Sequence, residues 1–345
     1  MLSLIYNIIL LFLLNNSCYG HKENILVEQG AEENDNTDLD KIINSIEQAT
    51  LIADKSKREG ILPEEHIETL YNDIAVLFEE LLDLTEERNN AYKFLKLNGI
   101  DRNIIPNIRH TYKPLRKQIL LLIKTLFNTI PATANLQIPN NIVDLLLDVF
   151  EHDDDLALKA HSLDILYAWL PNNPKLQARV MKLKGLEPFY QQMYKLDTGV
   201  NYKLLDLFNK ILEEHIQIRN DKKQRNKYDY EKLKTYQIIG LIERMSTPRV
   251  CNGLLNIFGE IVHANKNIEV ISMPVFQLLK TIEPFCAKFF AGKSTAAKIL
   301  SDWNDYVTDS NKIKMFEELG VNLSDIQETI NRYLLQARHE IRDEF

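Results

Sequence analysis

Lys96-Leu97-Asn98-Gly99-Ile100 recurs 86 positions later as Lys182-Leu183-Lys184-Gly185-Leu186. Half of 86 is 43, and near that intermediate offset stands Ile138-Pro139-Asn140-Asn141-Ile142, a break that leads into another apolar helix. Strongly apolar helices begin near Leu115, Leu156, Val200 and Val250, at spacings of 41, 44 and 50. A helical period of about 40–47 residues is the mark of armadillo or HEAT repeats. One short helical hairpin cannot cover its own apolar face, whereas stacked neighbours cover it and leave a concave surface. The glycine of the repeated element is expected to end one helix in a left-handed cap, freeing the chain to turn into the next.

The helix between those landmarks carries the argument furthest. Leu156 to Leu170 includes Ala157, Leu158, Ala160, Leu163, Ile165, Leu166, Ala168 and Trp169. It is apolar on nearly all sides, as a helix sandwiched between neighbours should be. Pro171 and Pro174 stop it. Upstream, Leu39, Ile42, Ile43, Ile46, Ala49 and Ala53 follow a 3.6 period, as do Ile67, Leu70, Tyr71, Ile74, Leu77, Phe78 and Leu81. Pro63 followed by Glu64 and Glu65 suits a first helical turn, because acids there meet the positive end of the helix dipole. A final helix is expected from Ser324, with a capping box to Gln327 and an inward stripe of Ile326, Ile330, Tyr333, Leu334, Ala337 and Ile341. No convincing alternating strand occurs. Glycine and proline stand at 11 each in 345 residues, about half the usual share. The expected fold is all-α, an armadillo/HEAT-like helical-repeat solenoid.

The two ends differ from the middle. Leu2 to Leu14 is apolar apart from Ser3, Tyr6 and Asn7, and no charged side chain occurs before Lys22. The run is too short to span a bilayer and fits a signal-peptide core, with small residues at Ser17, Cys18 and Gly20 for cleavage. Residues 21 to 40 carry seven acids against Lys22, and this segment is expected to be a mobile arm. The chain closes on Arg342-Asp343-Glu344-Phe345, in which the acidic pair of the ER retrieval signal is present while both outer positions depart from it. The organisation expected is a signal peptide over 1–20, an acidic arm over 21–38 and an N-terminal helical region over 39–110. Armadillo-like repeats follow over 111–265, then a C-terminal helical region with a retrieval-like tail over 266–345. The mature chain is expected to be a monomer of the endoplasmic reticulum lumen, without a membrane span.

Motifs for chemistry are few. Gly292-Lys293-Ser294 has Ala287 where a phosphate-binding loop requires its earlier glycine, and its surroundings are helical. The sequence contains no Gly-x-Ser-x-Gly, His-Glu-x-x-His or Cys-x-x-Cys. His161 and His215 lie within helical patterns and read as structural. No enzyme activity, metal site or cofactor is expected. Arg219 to Lys234 carries seven bases against three acids and reads as a solvated inter-repeat loop. The formal charge of −8 argues against a nucleic-acid partner. Cys251 and Cys286 could pair in an oxidising compartment or stand as separate buried thiols. Asn322-Leu323-Ser324 is a glycosylation sequon at Asn322.

Leu77-Phe78-Glu79-Glu80-Leu81-Leu82, followed by Arg88-Asn89-Asn90-Ala91-Tyr92-Lys93-Phe94-Leu95-Lys96-Leu97-Asn98-Gly99-Ile100, resembles the opening repeat of the armadillo-type nucleotide exchange factors for heat-shock-70 class chaperones. Leu158 to Trp169, then Lys182 to Phe189, is similar to that family's third repeat. The resemblance covers about residues 60 to 265. Together with the leader and the tail it implies the lumenal branch, whose partner is BiP. It also implies a function without chemistry of its own, in which the rod grips the chaperone's ATPase domain, favours an open cleft and releases ADP. The alternative is a helical-repeat scaffold of the secretory pathway with a different client. Polar positions out of phase with the apolar stripes are the candidate contacts: Lys117, Lys124, Lys159, Ser162, Asp164, Lys203, Asp206, Asn209, Lys210, Asn252, Asn256 and Glu260. Tyr167 and Trp169 read as core.

Overall fold

The computed structural model describes residues 38–183, 192–193, 196–220, 227–264, 268–318 and 320–338. The expected signal peptide, residues 21–37 of the acidic arm, Gly185, residues 221–226 of the basic run and the tail Arg342–Phe345 lie outside the described residues. Every described element is helical, and no strand occurs among the described residues.

The N-terminal helices are α1 (Asp38–Glu59), α2 (Glu64–Thr85) and α3 (Arg88–Lys96), followed by a π-helical turn (Ile100–Ile104) that runs into a single turn, Ile105–Asn107. Then come α4 (Lys113–Thr129), α5 (Pro131–Gln137), α6 (Ile142–His152), α7 (Leu156–Trp169) and α8 (Pro174–Leu183). The chain continues through α9 (Thr198–Asn220), α10 (Lys227–Ile239), α11 (Leu241–Met245) and α12 (Pro248–Ala264). It ends in α13 (Ile268–Phe290), α14 (Ser294–Thr308), α15 (Ser310–Glu318) and α16 (Leu323–Arg338). The fold is an all-α, helical-repeat solenoid.

Packing follows two rows. In one row α2 lies on α4, α4 on α7, α7 on α9, α9 on α13 and α13 on α16. In the other, α6 touches α8 and α8 packs on α10, while α12 packs on α13 and α14. Side-chain bonds between successive units recur at sequence intervals of 34 to 45. Trp169 Nε1 donates to Asn135 Oδ1 across 34 positions, Lys124 reaches Asp164 across 40, Lys293 reaches Asn252 across 41 and Trp303 Nε1 donates to the Phe258 carbonyl across 45. The helix following α9 in the first row is α13, not the expected helix at Val250. Helices α10 to α12 are inserted between them, so the row runs past the expected boundary at 265/266 to the last helix.

The core stripes fall where the 3.6 period places them. Leu39, Ile43, Ile46, Ile74, Phe78 and Leu81 are buried, with Ile42, Ala49, Leu70 and Leu77 packed half-buried beside them. Helix α7 is flanked by α4, α6 and α9, which bury Leu158, Leu163, Ile165, Leu166 and Trp169 and leave a narrow strip through His161, Asp164 and Tyr167 half-buried. Asp155 caps its start, accepting from the backbone N–H groups of Ala157 at 2.9 Å and Leu158 at 3.3 Å.

The turn after α3 departs from expectation. Asn98 takes the left-handed conformation, with φ 57°. Gly99 is right-handed, with φ −57° and ψ −28°. The glycine is required by close approach instead: a Cβ there would lie 2.1 Å from the Phe94 ring, which is fully buried. Gly99→Ala therefore overpacks the turn and should cost about 2–3 kcal/mol, read as a lower urea midpoint. Asn98→Gly, which keeps the left-handed residue, should stay within about 0.5 kcal/mol of wild type. Equal midpoints for wild type and Gly99→Ala would contradict this account.

Two further expectations change, and the open question of the cysteines is resolved. The N-cap of α16 is Asn322, not Ser324: its Oδ1 accepts from the Asp325 backbone N–H at 3.3 Å and from the Ser324 hydroxyl at 2.7 Å. The basic run is not a loop throughout, since its first two residues end α9 and residues 227–234 begin α10. Cys251 on α12 and Cys286 on α13 are joined by a disulfide, with Cα atoms 5.3 Å apart and both side chains fully buried.

Candidate interaction face

Lys117 and Lys124 are seven residues apart on α4 and so share one face. On α7, the residues His161, Asp164 and Tyr167 follow one another at intervals of three. On α9, the residues Lys203, Asp206 and Lys210 follow at intervals of three and four. The packing of α4, α7 and α9 side by side brings these three rows together.

Asp164 stands at the centre. Its Oδ2 accepts from Lys124 Nζ at 2.6 Å, and its Oδ1 accepts from Lys203 Nζ. Burial alone would raise its pKa, but the hydrogen bonds and charges of Lys124 and Lys203 outweigh burial and hold it below the usual carboxylate range. One turn on, the Tyr167 hydroxyl donates to Asp206. Lys210 Nζ lies 3.1 Å from Asp206 Oδ2 and 4.1 Å from the centre of the Tyr167 ring, in cation–π geometry. Burial pushes the Asp206 carboxyl up and the Lys210 ammonium down. His161, beside Lys124 and Asp164, is held below the ordinary histidine value by burial and then by Lys124. Pairs this exposed contribute little stability each, about 0–1 kcal/mol. Their consequence is geometric, since each lysine is fixed in register with a neighbouring repeat.

Five of the expected contacts (Lys124, Asp164, Lys203, Asp206 and Lys210) therefore form one cross-repeat ladder, and Lys117 lies exposed on the same face of α4. Three others do not face solvent. Lys159 is buried, and its ammonium donates to the carbonyls of Phe150 and Glu151 at the end of α6 and to Gln192 Oε1. It serves as a C-terminal cap for α6. Ser162 is buried and donates to the Leu146 carbonyl. Asn209 is buried, with Nδ2 on Glu213 Oε1 at 3.1 Å. Helical phase alone places all three outward. Flanking on several sides buries more of each helix than a single apolar stripe implies. Asn256 and Glu260 are exposed on α12, and half-buried Asn252 accepts from Lys293 Nζ. Helix α12 packs on α13 and α14, so these three belong to another face. Tyr167, core by sequence pattern, is half-buried within the ladder. The intervals of 39 and 43 that separate it from Asp206 and Lys210 were the available signal. Trp169 is core, against Phe127 at 5.1 Å.

His215 on α9 is structural in the described geometry. It is buried, its Nε2 lies 2.9 Å from Gln177 Oε1, and together with Gln177 it borders a cavity of about 50 Å³ whose remaining walls are apolar. Burial pulls its pKa down to about 4. The folded protein therefore binds fewer protons than the unfolded chain between about pH 6.5 and 4. The histidine's share of stability is complete above the unfolded pKa and is lost as pH falls through that window, by about 3 kcal/mol at the limit. Burial raises the neighbouring Glu214, which opposes part of this loss. His215→Gln, which keeps a donor for Gln177, should lose less stability than wild type between pH 7 and pH 4.5. Parallel pH profiles would contradict the assignment.

Among the described residues, no group of His, Cys, Asp or Glu side chains could hold a metal ion, and no helix is long and apolar enough to cross a membrane. No family model matches the chain, and no curated protein matches it. Among solved structures, the chain is similar to an engineered protein determined by the Northeast Structural Genomics Consortium. That protein is 12% identical, with 88% of this chain and 99% of that one covered and a TM-score of 0.46. The fold and the ladder define a helical-repeat protein with a charged face built across adjacent repeats.

Proposed function

We propose that the chain is a nucleotide exchange factor of the endoplasmic reticulum lumen, acting on the ATPase domain of BiP to promote ADP release. The observation that carries the reading is the ladder of Lys124, Asp164, Tyr167, Lys203, Asp206 and Lys210. It fixes side chains from three stacked helices in one register, as a rod that grips a folded partner requires. The resemblance of residues 77–100 and 158–169 to the exchange-factor family supports the choice of partner. The buried Cys251–Cys286 bridge supports an oxidising compartment, in line with the leader and the retrieval-like tail.

The mechanism is linkage. A rod that binds the open ATPase cleft more tightly than the closed one shifts the chaperone toward the open state. ADP then leaves and ATP enters, and no catalytic group on the rod takes part. Co-precipitation tests the reading. Residues 21–345 should retain BiP in ADP and release it in ATP. Equal retention in both nucleotides, or none, would favour a scaffold with another client. Deletion of residues 21–38 should leave retention unchanged, because the rod makes the contact.

A further inference from the structure

We propose that Lys117, Lys124, Lys203 and Lys210 form a docking strip for an acidic face of a folded protein. The inference rests on the exchange-factor reading for the identity of that protein, and it adds the chemistry of the surface the rod grips. Between Asp101 and Asp144 the chain carries no acidic residue, so α4 brings only cations to the strip. Lys117 is exposed and forms no ion pair among the described residues. The side chains of Lys124, Lys203 and Lys210 stay 35%, 38% and 45% exposed after making their internal pairs. Asp164, by contrast, is 14% exposed with both oxygens occupied by lysines. An ammonium has three donors, and the pairs to Asp164 leave Lys124 and Lys203 with donors to spare. The strip therefore presents donors outward while its carboxylates are turned inward, and it carries 4 − 2 = +2.

A carboxylate-bearing protein face fits this pattern better than a nucleic-acid backbone. Asp164 and Asp206 interrupt the lysines at fixed intervals, whereas a phosphate chain calls for an unbroken cationic track. Half-buried Tyr167, its ring below Lys210, supplies the rigid aromatic surface common at the centre of protein interfaces. Charge complementarity of this kind acts on the association rate and on the choice of partner.

Two variants with opposite expected signs test the strip. Lys117→Gln/Lys124→Gln/Lys203→Gln in residues 21–345 should weaken binding to the ADP-bound BiP ATPase domain about tenfold or more at 0.1 M salt, mainly through slower association. Asp164→Asn keeps the shape but releases two lysines, and should tighten binding several-fold with a steeper salt dependence. Circular dichroism and thermal midpoints would check that both variants fold. Wild-type affinity in both variants, alongside intact ADP release, would overturn the strip and leave the exchange reading standing. Weakening by both variants would make the ladder a scaffold element and overturn the strip. Binding of single-stranded RNA as tight as that of the ATPase domain would assign the strip to nucleic acid and also overturn it. A wild-type chain that neither binds BiP nor speeds ADP release would remove both readings together.

Discussion

Cys251→Ala/Cys286→Ala should lower the unfolding free energy by about 4 kcal/mol. The bridge spans 35 positions, and closing a loop of that length removes conformational freedom from the unfolded chain worth roughly that amount. Alanine avoids burying two new hydroxyls beside the Met245 carbonyl, which lies 3.3 Å from the Cys251 sulfur. The loss should be local as well as large. In a solenoid each unit contacts only its neighbours, so stability is close to a sum of local terms. Hydrogen exchange should therefore accelerate most in α12 and α13 and least in α1 and α2. Both sulfurs are fully buried, so mild reductant should act on the native protein only as fast as these helices open. Identical urea midpoints for wild type and variant would show that the bridge contributes nothing.

Trp303→Ala should cost about 4 kcal/mol, at the upper end of core truncations. The indole is fully buried and ties three helices together. From α14 its N–H donates to the Phe258 carbonyl of α12 at 3.0 Å, and its ring meets Phe276 of α13 edge-on at 5.2 Å. Trp303→Phe keeps most of the apolar area and loses the donor, for a cost of about 1–2 kcal/mol. An alanine variant as stable as the phenylalanine variant would show that the ring carries no packing energy at this junction.

The fold was legible because its signal is repetitive. The positions of Leu39, Ile43, Ile46, Ile74, Phe78 and Leu81 follow from the 3.6 period alone. The helix starts near Leu115, Leu156 and Val200 lie within two residues of α4, α7 and α9. The path of the stack was not legible beyond Asn220. Sequence order put the Val250 helix next, while packing gives that place to α13. Apolar periodicity tells that a face is covered but not which helix covers it. The same limit explains the buried contacts. Lys159, Ser162 and Asn209 are polar and out of phase, yet all three are covered: α6 supplies carbonyl acceptors to Lys159 and Ser162, and Asn209 bonds Glu213 of its own helix. At the Gly99 turn, the composition announced a break, but only the position of the Phe94 ring shows why the residue is glycine. The pairing of Lys124 with Asp164 and of Lys203 with Asp164 needed the register of three helices, which no single helical wheel contains.

The central claim is that this rod opens a chaperone's nucleotide cleft. Its most direct test is the release of labelled ADP from purified BiP, chased with excess unlabelled nucleotide, with and without residues 21–345. The account predicts release that accelerates with rod concentration and then saturates, and that is slowed again by Lys117→Gln/Lys124→Gln/Lys203→Gln. A release rate unchanged at every rod concentration, with the chain folded and its disulfide intact, would contradict it.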